Sequence, residues 1–215
     1  MIASTTPRYS GSEEVASTLI HAIGIVLSIA GLAVLVAFAA RGSAREVASV
    51  AVYGTSLILL YTASTLYHGI PLRRAKPVLR VLDHAAIFLL IAGTYTPFTL
   101  ISLRGAWGWS LFALVWTLAF AGIALEVAGA KNRRVMAALY VALGWIGLVA
   151  IKPLAASIDA GGLWLLFGGG AAYTLGVPFY LSRRMPYGHA CWHGFVLLGS
   201  VLQFFAVLFY VLPSP

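Results

Sequence analysis

The chain has 215 residues, of which 61% are hydrophobic and 9% charged. Soluble domains carry roughly a quarter charged residues, so this composition excludes an ordinary water-soluble globule and indicates an integral membrane protein. A formal charge of +8 would suggest a nucleic-acid partner in a soluble protein; here it reads as loops facing an anionic leaflet, with no nucleic acid expected. The single cysteine, Cys191, excludes an internal disulfide. The N-terminus lacks a basic stretch followed by an apolar core and cleavage site, so no signal peptide is expected.

A bilayer core takes about 20 apolar residues per helix. In chain order, spans fall near 17–40, 47–70, 80–102, 107–129, 135–152, 162–182 and 190–212, separated by short polar segments. The expected fold is an all-α, seven-transmembrane helix bundle forming one domain over residues 1–215. Pro97 and Pro178 should bend the third and sixth spans. Gly168, Gly169 and Gly170 should let the sixth pack closely or bend. Trp107, Trp109 and Trp164 fall near one boundary and Trp192 near the other, as interfacial belts do.

Basic residues orient the bundle. Ten of the fourteen lie in the N-terminus and loops two, four and six: Arg8; Arg73, Arg74, Lys76 and Arg80; Lys131, Arg133 and Arg134; Arg183 and Arg184. Arg41, Arg45, Arg104 and Lys152 lie opposite. This asymmetry puts the N-terminus in the cytoplasm and the C-terminus outside.

That topology brings the ionisable residues to one level. His68 ends the second span, Asp83 and His84 begin the third, and His189 and His193 begin the seventh. Glu14 and His21 flank the start of the first span, and Glu126 falls late in the fourth. His189 and His193 are four residues apart, hence on one helical face. With His68 they supply three imidazoles from two helices, a set that suits Zn²⁺ with a fourth position open. Asp83 can ligate directly or hold a water on the metal as a base. Ser64, one turn before His68, can bond that water or an oxyanion.

Other residues have plainer readings. His84 points about 100° away from Asp83 and reads as structural. Glu14 and His21, two turns apart, read as a structural polar contact or as support for a ligand. Cys191 reads as packing and Glu126 as the partner of a loop-four base such as Arg133.

The segments EEVASTLIH, STLYH, LDHAAIFLLIAGTYTP and HACWHG occur in order, each on the expected span. Together they resemble the hemolysin III family, within the progestin and adipoQ receptor superfamily, over essentially the whole chain. The resemblance implies a seven-helix fold with a cytoplasm-facing zinc site. Its three histidines fall on His68, His189 and His193, its aspartate on Asp83, its serine on Ser64 and its first acidic residue on Glu14. Ser17 stands where bacterial members usually carry asparagine, so any contact made by that amide is in doubt.

The leading functional expectation is a zinc-dependent hydrolase of a lipid amide or ester, ceramidase-like by that resemblance. It would act at the cytoplasmic leaflet of a bacterial inner membrane, in membrane lipid homeostasis. The alternatives are a non-enzymatic sensor or regulator with structural zinc and lipid as ligand, and a pore-forming cytolytic protein.

Overall fold

The computed structural model describes residues 9–130, 132–182 and 184–212. Arg8, Lys131 and Arg183 of the charge count lie outside the described residues. Among the described residues all regular structure is helical. Seven helices are long and apolar enough to cross a membrane: Gly11–Ala39, Ala44–Gly69, Lys76–Leu103, Gly105–Val127, Arg133–Ala155, Ala160–Leu181 and Gly188–Val211. These are called spans one to seven below. Span one starts well before the expected residue 17 because Ser10 caps it. The Ser10 hydroxyl accepts the Glu13 backbone N–H at 3.2 Å, and Glu13 and Glu14 occupy the positive first turn. Span two opens on a capping box: Ser43 accepts from the Glu46 N–H, and the Glu46 carboxylate accepts from the Ser43 N–H.

Side chains sort as an apolar solvent demands. Along span one, Val15, Leu19, Ile23 and Val26 are exposed, whereas Glu13, Ser17, His21, Gly24 and Ser28 are buried. The buried set recurs every three or four residues and so forms one stripe. Lipid tails are as apolar as leucine, so inter-span attraction comes from close packing and hydrogen bonds. A Cβ on Gly24 would stand 2.5 Å from the Tyr61 ring, and one on Gly169 would stand 2.7 Å from Gln203 Nε2. Of the three consecutive glycines in span six, Gly169 makes the close approach; Gly168 and Gly170 leave room for a Cβ. Ser200 of span seven gathers three tyrosines. Tyr61 OH donates to its Oγ at 2.8 Å, Tyr173 OH lies 2.9 Å from the same atom, and Tyr53 OH donates to its carbonyl at 3.4 Å. Spans two, six and seven are thereby tied at a buried point.

Prolines and hydroxyls shape the irregular helices. Span three passes from α-helix to π-helix at Pro97, with the π segment at Phe98–Leu103. Pro97 has no N–H to return one turn back. Around it the hydroxyls of Thr94, Thr96 and Thr99 bond the carbonyls of Leu90, Ala92 and Tyr95, one turn back on their own helix. Span five breaks into Arg133–Trp145, a 3₁₀ turn at Ile146–Ala150 and Ile151–Ala155. Pro153 crowds the carbonyl one turn before it. Tyr95 of span three bridges the break: its hydroxyl donates to the Gly144 carbonyl at 2.6 Å and accepts the Gly147 N–H at 2.9 Å. A side chain thus satisfies backbone groups that lipid could not.

Two expectations are corrected. Trp107, Trp109 and Trp164 are exposed, as a belt requires, but Trp192 is buried against Tyr180, with ring centroids 5.4 Å apart. Cys191 is exposed rather than packed. Gly24→Val should destabilise the bundle by about 1–3 kcal/mol through overpacking against Tyr61. Gly144→Ala, where no atom lies within 4 Å of the added Cβ, should leave the melting temperature in detergent unchanged or slightly raised.

Candidate metal centre

Span two ends and span seven begins at the same end of the bundle, and their polar faces meet. His68 Nε2 lies 3.2 Å from His189 Nε2 and 3.1 Å from His193 Nε2. All three residues are buried, and their ligand nitrogens lie within 4.8 Å of one another. His189 and His193 share a face because four residues make about one turn; His68 reaches them from span two. The three side chains could hold a metal ion.

What holds the ring nitrogens remote from the cluster supports this. His68 Nδ1 donates to Glu14 Oε2 at 2.5 Å, which leaves Nε2 with its lone pair toward the other two histidines. Lys76 Nζ is 3.4 Å from the other Glu14 oxygen and also bonds the Tyr67 carbonyl at the end of span two. His189 is held twice. Tyr9 OH lies 3.1 Å from its Nδ1, with the two rings stacked at a centroid distance of 4.4 Å. Glu13 Oε1 accepts its backbone N–H at 2.9 Å. Burial pushes the Tyr9 phenol above its ordinary range, against the opposing effect of Arg133, so it is uncharged. His193 Nδ1 is buried and has no hydrogen-bond partner among the described residues.

Tyr9 and Glu13 were invisible to spacing arguments, which began at the apolar run. The paired acidic residues next to a helix cap were the available signal for Glu13. For Tyr9 there was none, because its contact closes 180 residues of sequence.

The remaining candidates lie around the histidines. Asp83 is buried and lines the same cavity as His189 and His193, but it is not among the converging ligand atoms. Ser64 is completely buried, one turn from His68, and its Oγ has no hydrogen-bond partner within 3.5 Å among the described residues. His21 packs its ring on His193 at a centroid distance of 3.8 Å and edge-on to Tyr61 at 4.9 Å. Among the described residues neither His21 nitrogen nor Ser17 Oγ has a hydrogen-bond partner.

His84 and Glu126 form a separate polar contact. Fully buried Glu126 takes His84 Nδ1 at 3.2 Å and Arg80 Nη1 at 3.3 Å on the same oxygen. The expected partner, Arg133, is instead stacked over the Tyr180 ring, 4.5 Å from its centroid, and donates to the Tyr180 carbonyl. Arg80 wins because it lies one helical turn from His84 on span three, facing span four, whereas Arg133 begins span five.

From this layer a cavity of about 160 Å³ runs into the bundle. Asp83, His189 and His193 stand at one end, and Leu103, Leu148 and Leu154 toward the other, with mostly apolar side chains between. The broken span five forms part of its wall.

Residues 9–204 match the family described as Haemolysin-III related. The chain belongs to that family. A Bacillus cereus protein named Hemolysin-3 is 47% identical over 204 residues, covering 94% of this chain and 93% of its own length. The Hemolysin-3 homolog of Bacillus subtilis (strain 168) is 44% identical over 205 residues, covering 94% of this chain and 96% of its own. More distant is the human Monocyte to macrophage differentiation factor, 27% identical over 210 residues, covering 94% of this chain and 86% of its own. The family membership read from the four motifs is thus borne out, and the histidine cluster lies inside the matched region. The purified haemolysin III-related chain should bind about one divalent metal ion, measured by mass spectrometry. His189→Ala and His193→Ala should each lose it; full retention in both would sink the site.

Proposed function

We propose that this chain is a zinc-dependent membrane hydrolase that cleaves a lipid amide or ester at the cytoplasmic leaflet of the bacterial plasma membrane, with a role in membrane lipid homeostasis. The observation that carries this reading is the meeting of three buried imidazoles, two of which, His189 and His193, line an elongated apolar cavity together with Asp83.

Zinc suits the donor set. Tetrahedral zinc with nitrogens at about 2.0–2.1 Å separates those nitrogens by ~3.3 Å, close to the 3.1 and 3.2 Å spacings of the cluster. Three imidazoles with a fourth position free is the ligand count of a catalytic rather than a closed structural site. A bound zinc ion supplies Lewis acidity that activates water near neutral pH.

The chain's own residues do the rest. Asp83 takes the proton of the attacking water on a carboxylate oxygen, which requires that it stand beside the metal rather than on it. Ser64 donates its hydroxyl to the oxygen on which negative charge develops; its burial one turn from His68 is the support for that role. Glu14 and Tyr9 orient His68 and His189. The hydrocarbon part of the substrate occupies the apolar cavity, which excludes water and strengthens the polar contacts at its end.

A regulator with purely structural zinc would be favoured by a fourth protein ligand; among the described residues three side chains converge. The relatives' name suggests a pore, but a polar layer confined to one end of the bundle supports a closed site better.

Asp83→Asn should retain zinc and lower hydrolysis of fluorogenic N-acyl lipid amides and esters in vesicles by about 100-fold or more. Lipid analysis of cells lacking the protein, or carrying Asp83→Asn, should show the same class of lipid accumulating. Unchanged turnover of every accepted substrate in the variant would remove Asp83 from the mechanism.

A further inference from the structure

Tyr9 reaches the cluster from outside the spans, immediately before the Ser10 cap of span one. Its placement is enforced on both sides. The cap starts the helix one residue later, and Glu13 on the first turn grips the backbone N–H of His189 at 2.9 Å. The same short segment therefore holds His189 by its main chain and by its ring. The stacked geometry, 4.4 Å between centroids and 21° between planes, keeps the phenol level with the imidazole.

A phenol 3.1 Å from a ring nitrogen can give or take the hydrogen bond. What a bound metal ion requires on the far side of the ring decides which. His189 Nε2 points at His68 Nε2, 3.2 Å away. His68 Nε2 already carries a lone pair, because its Nδ1 proton goes to Glu14. If Tyr9 donated to Nδ1, the His189 proton would sit on Nε2 and occupy the direction a metal ion needs. If Tyr9 accepts from Nδ1–H, Nε2 is left as a ligand lone pair.

We propose that Tyr9 is a positioning residue for the metal: its hydroxyl oxygen accepts the His189 Nδ1 proton, selecting the tautomer that binds through Nε2, while its ring fixes the plane of the imidazole. The inference rests on the reading that the three histidines hold zinc. It makes the segment ahead of span one part of the metal site. It also divides the support between two residues five apart in sequence: Tyr9 serves His189 and Glu14 serves His68.

The test uses the full chain in lipid nanodiscs. Zinc affinity is measured by chelator competition, and ligand geometry by the visible absorption of the Co²⁺-substituted protein. Tyr9→Phe removes one oxygen and keeps the ring; Tyr9→Gln keeps an acceptor oxygen. Tyr53→Phe is the control, because its buried hydroxyl bonds the Ser200 carbonyl instead of a histidine.

Loss of a group that orients a metal-binding histidine typically costs 10–100-fold in metal affinity. Tyr9→Phe should therefore weaken zinc binding at least about 10-fold and alter the Co²⁺ spectrum. Tyr9→Gln should recover part of the affinity, and Tyr53→Phe should match the wild type. Wild-type affinity and an unchanged Co²⁺ spectrum in Tyr9→Phe would overturn this role alone. A wild-type chain that binds neither ion would overturn the zinc reading and this inference with it.

Discussion

A hydrocarbon solvent offers polar groups no hydrogen bonds, so each must find a partner inside the bundle or sit where an added ligand meets it. That constraint inverts the sorting seen in soluble helices. On span one the outward face is valine, leucine and isoleucine, and the inward stripe is glutamate, serine, histidine and glycine. The same demand explains why Thr94, Thr96 and Thr99 return their hydroxyls to carbonyls and why the Tyr95 hydroxyl replaces backbone partners at the break in span five. Glu126, wholly buried, is tolerated because Arg80 and His84 both meet it.

Against that background the histidine cluster stands out by what its remote nitrogens do. Glu14 and Tyr9 hold His68 and His189 from outside, and the near nitrogens are left pointing at one another. With the Nδ1 protons of His68 and His189 turned outward, lone pairs would face one another across the cluster, and a cation between them would turn that repulsion into ligation. Among the described residues, buried atoms of His193, of His21 packed on its ring, and of Ser64 one turn from His68 lack hydrogen-bond partners, as do others such as Glu126 Oε2 and Gln203 Oε1.

Sequence reasoning succeeded where the signal was local. Apolar run lengths give the seven spans, four-residue spacing gives the paired face of His189 and His193, and four motifs in order give the family. It failed where the partner lies on another span. Sequence position pointed Glu126 to a loop-four base such as Arg133, because charge and proximity in sequence do not say that Arg80 of span three faces span four. Trp192 carried the composition of a belt residue, yet the rotation of span seven turns it inward against Tyr180.

The sequence by itself determined the solvent, the number of crossings, the family and the residue types of the site, because each follows from composition or from spacing within one helix. Tertiary structure alone decided how closely His68 approaches the span-seven pair, that Glu14 and Tyr9 are the groups behind the rings, and that Asp83 faces the cavity without joining the converging nitrogens. Those outcomes depend on helix rotation and on contacts closing between 54 and 180 residues of chain, distances over which no sequence periodicity survives.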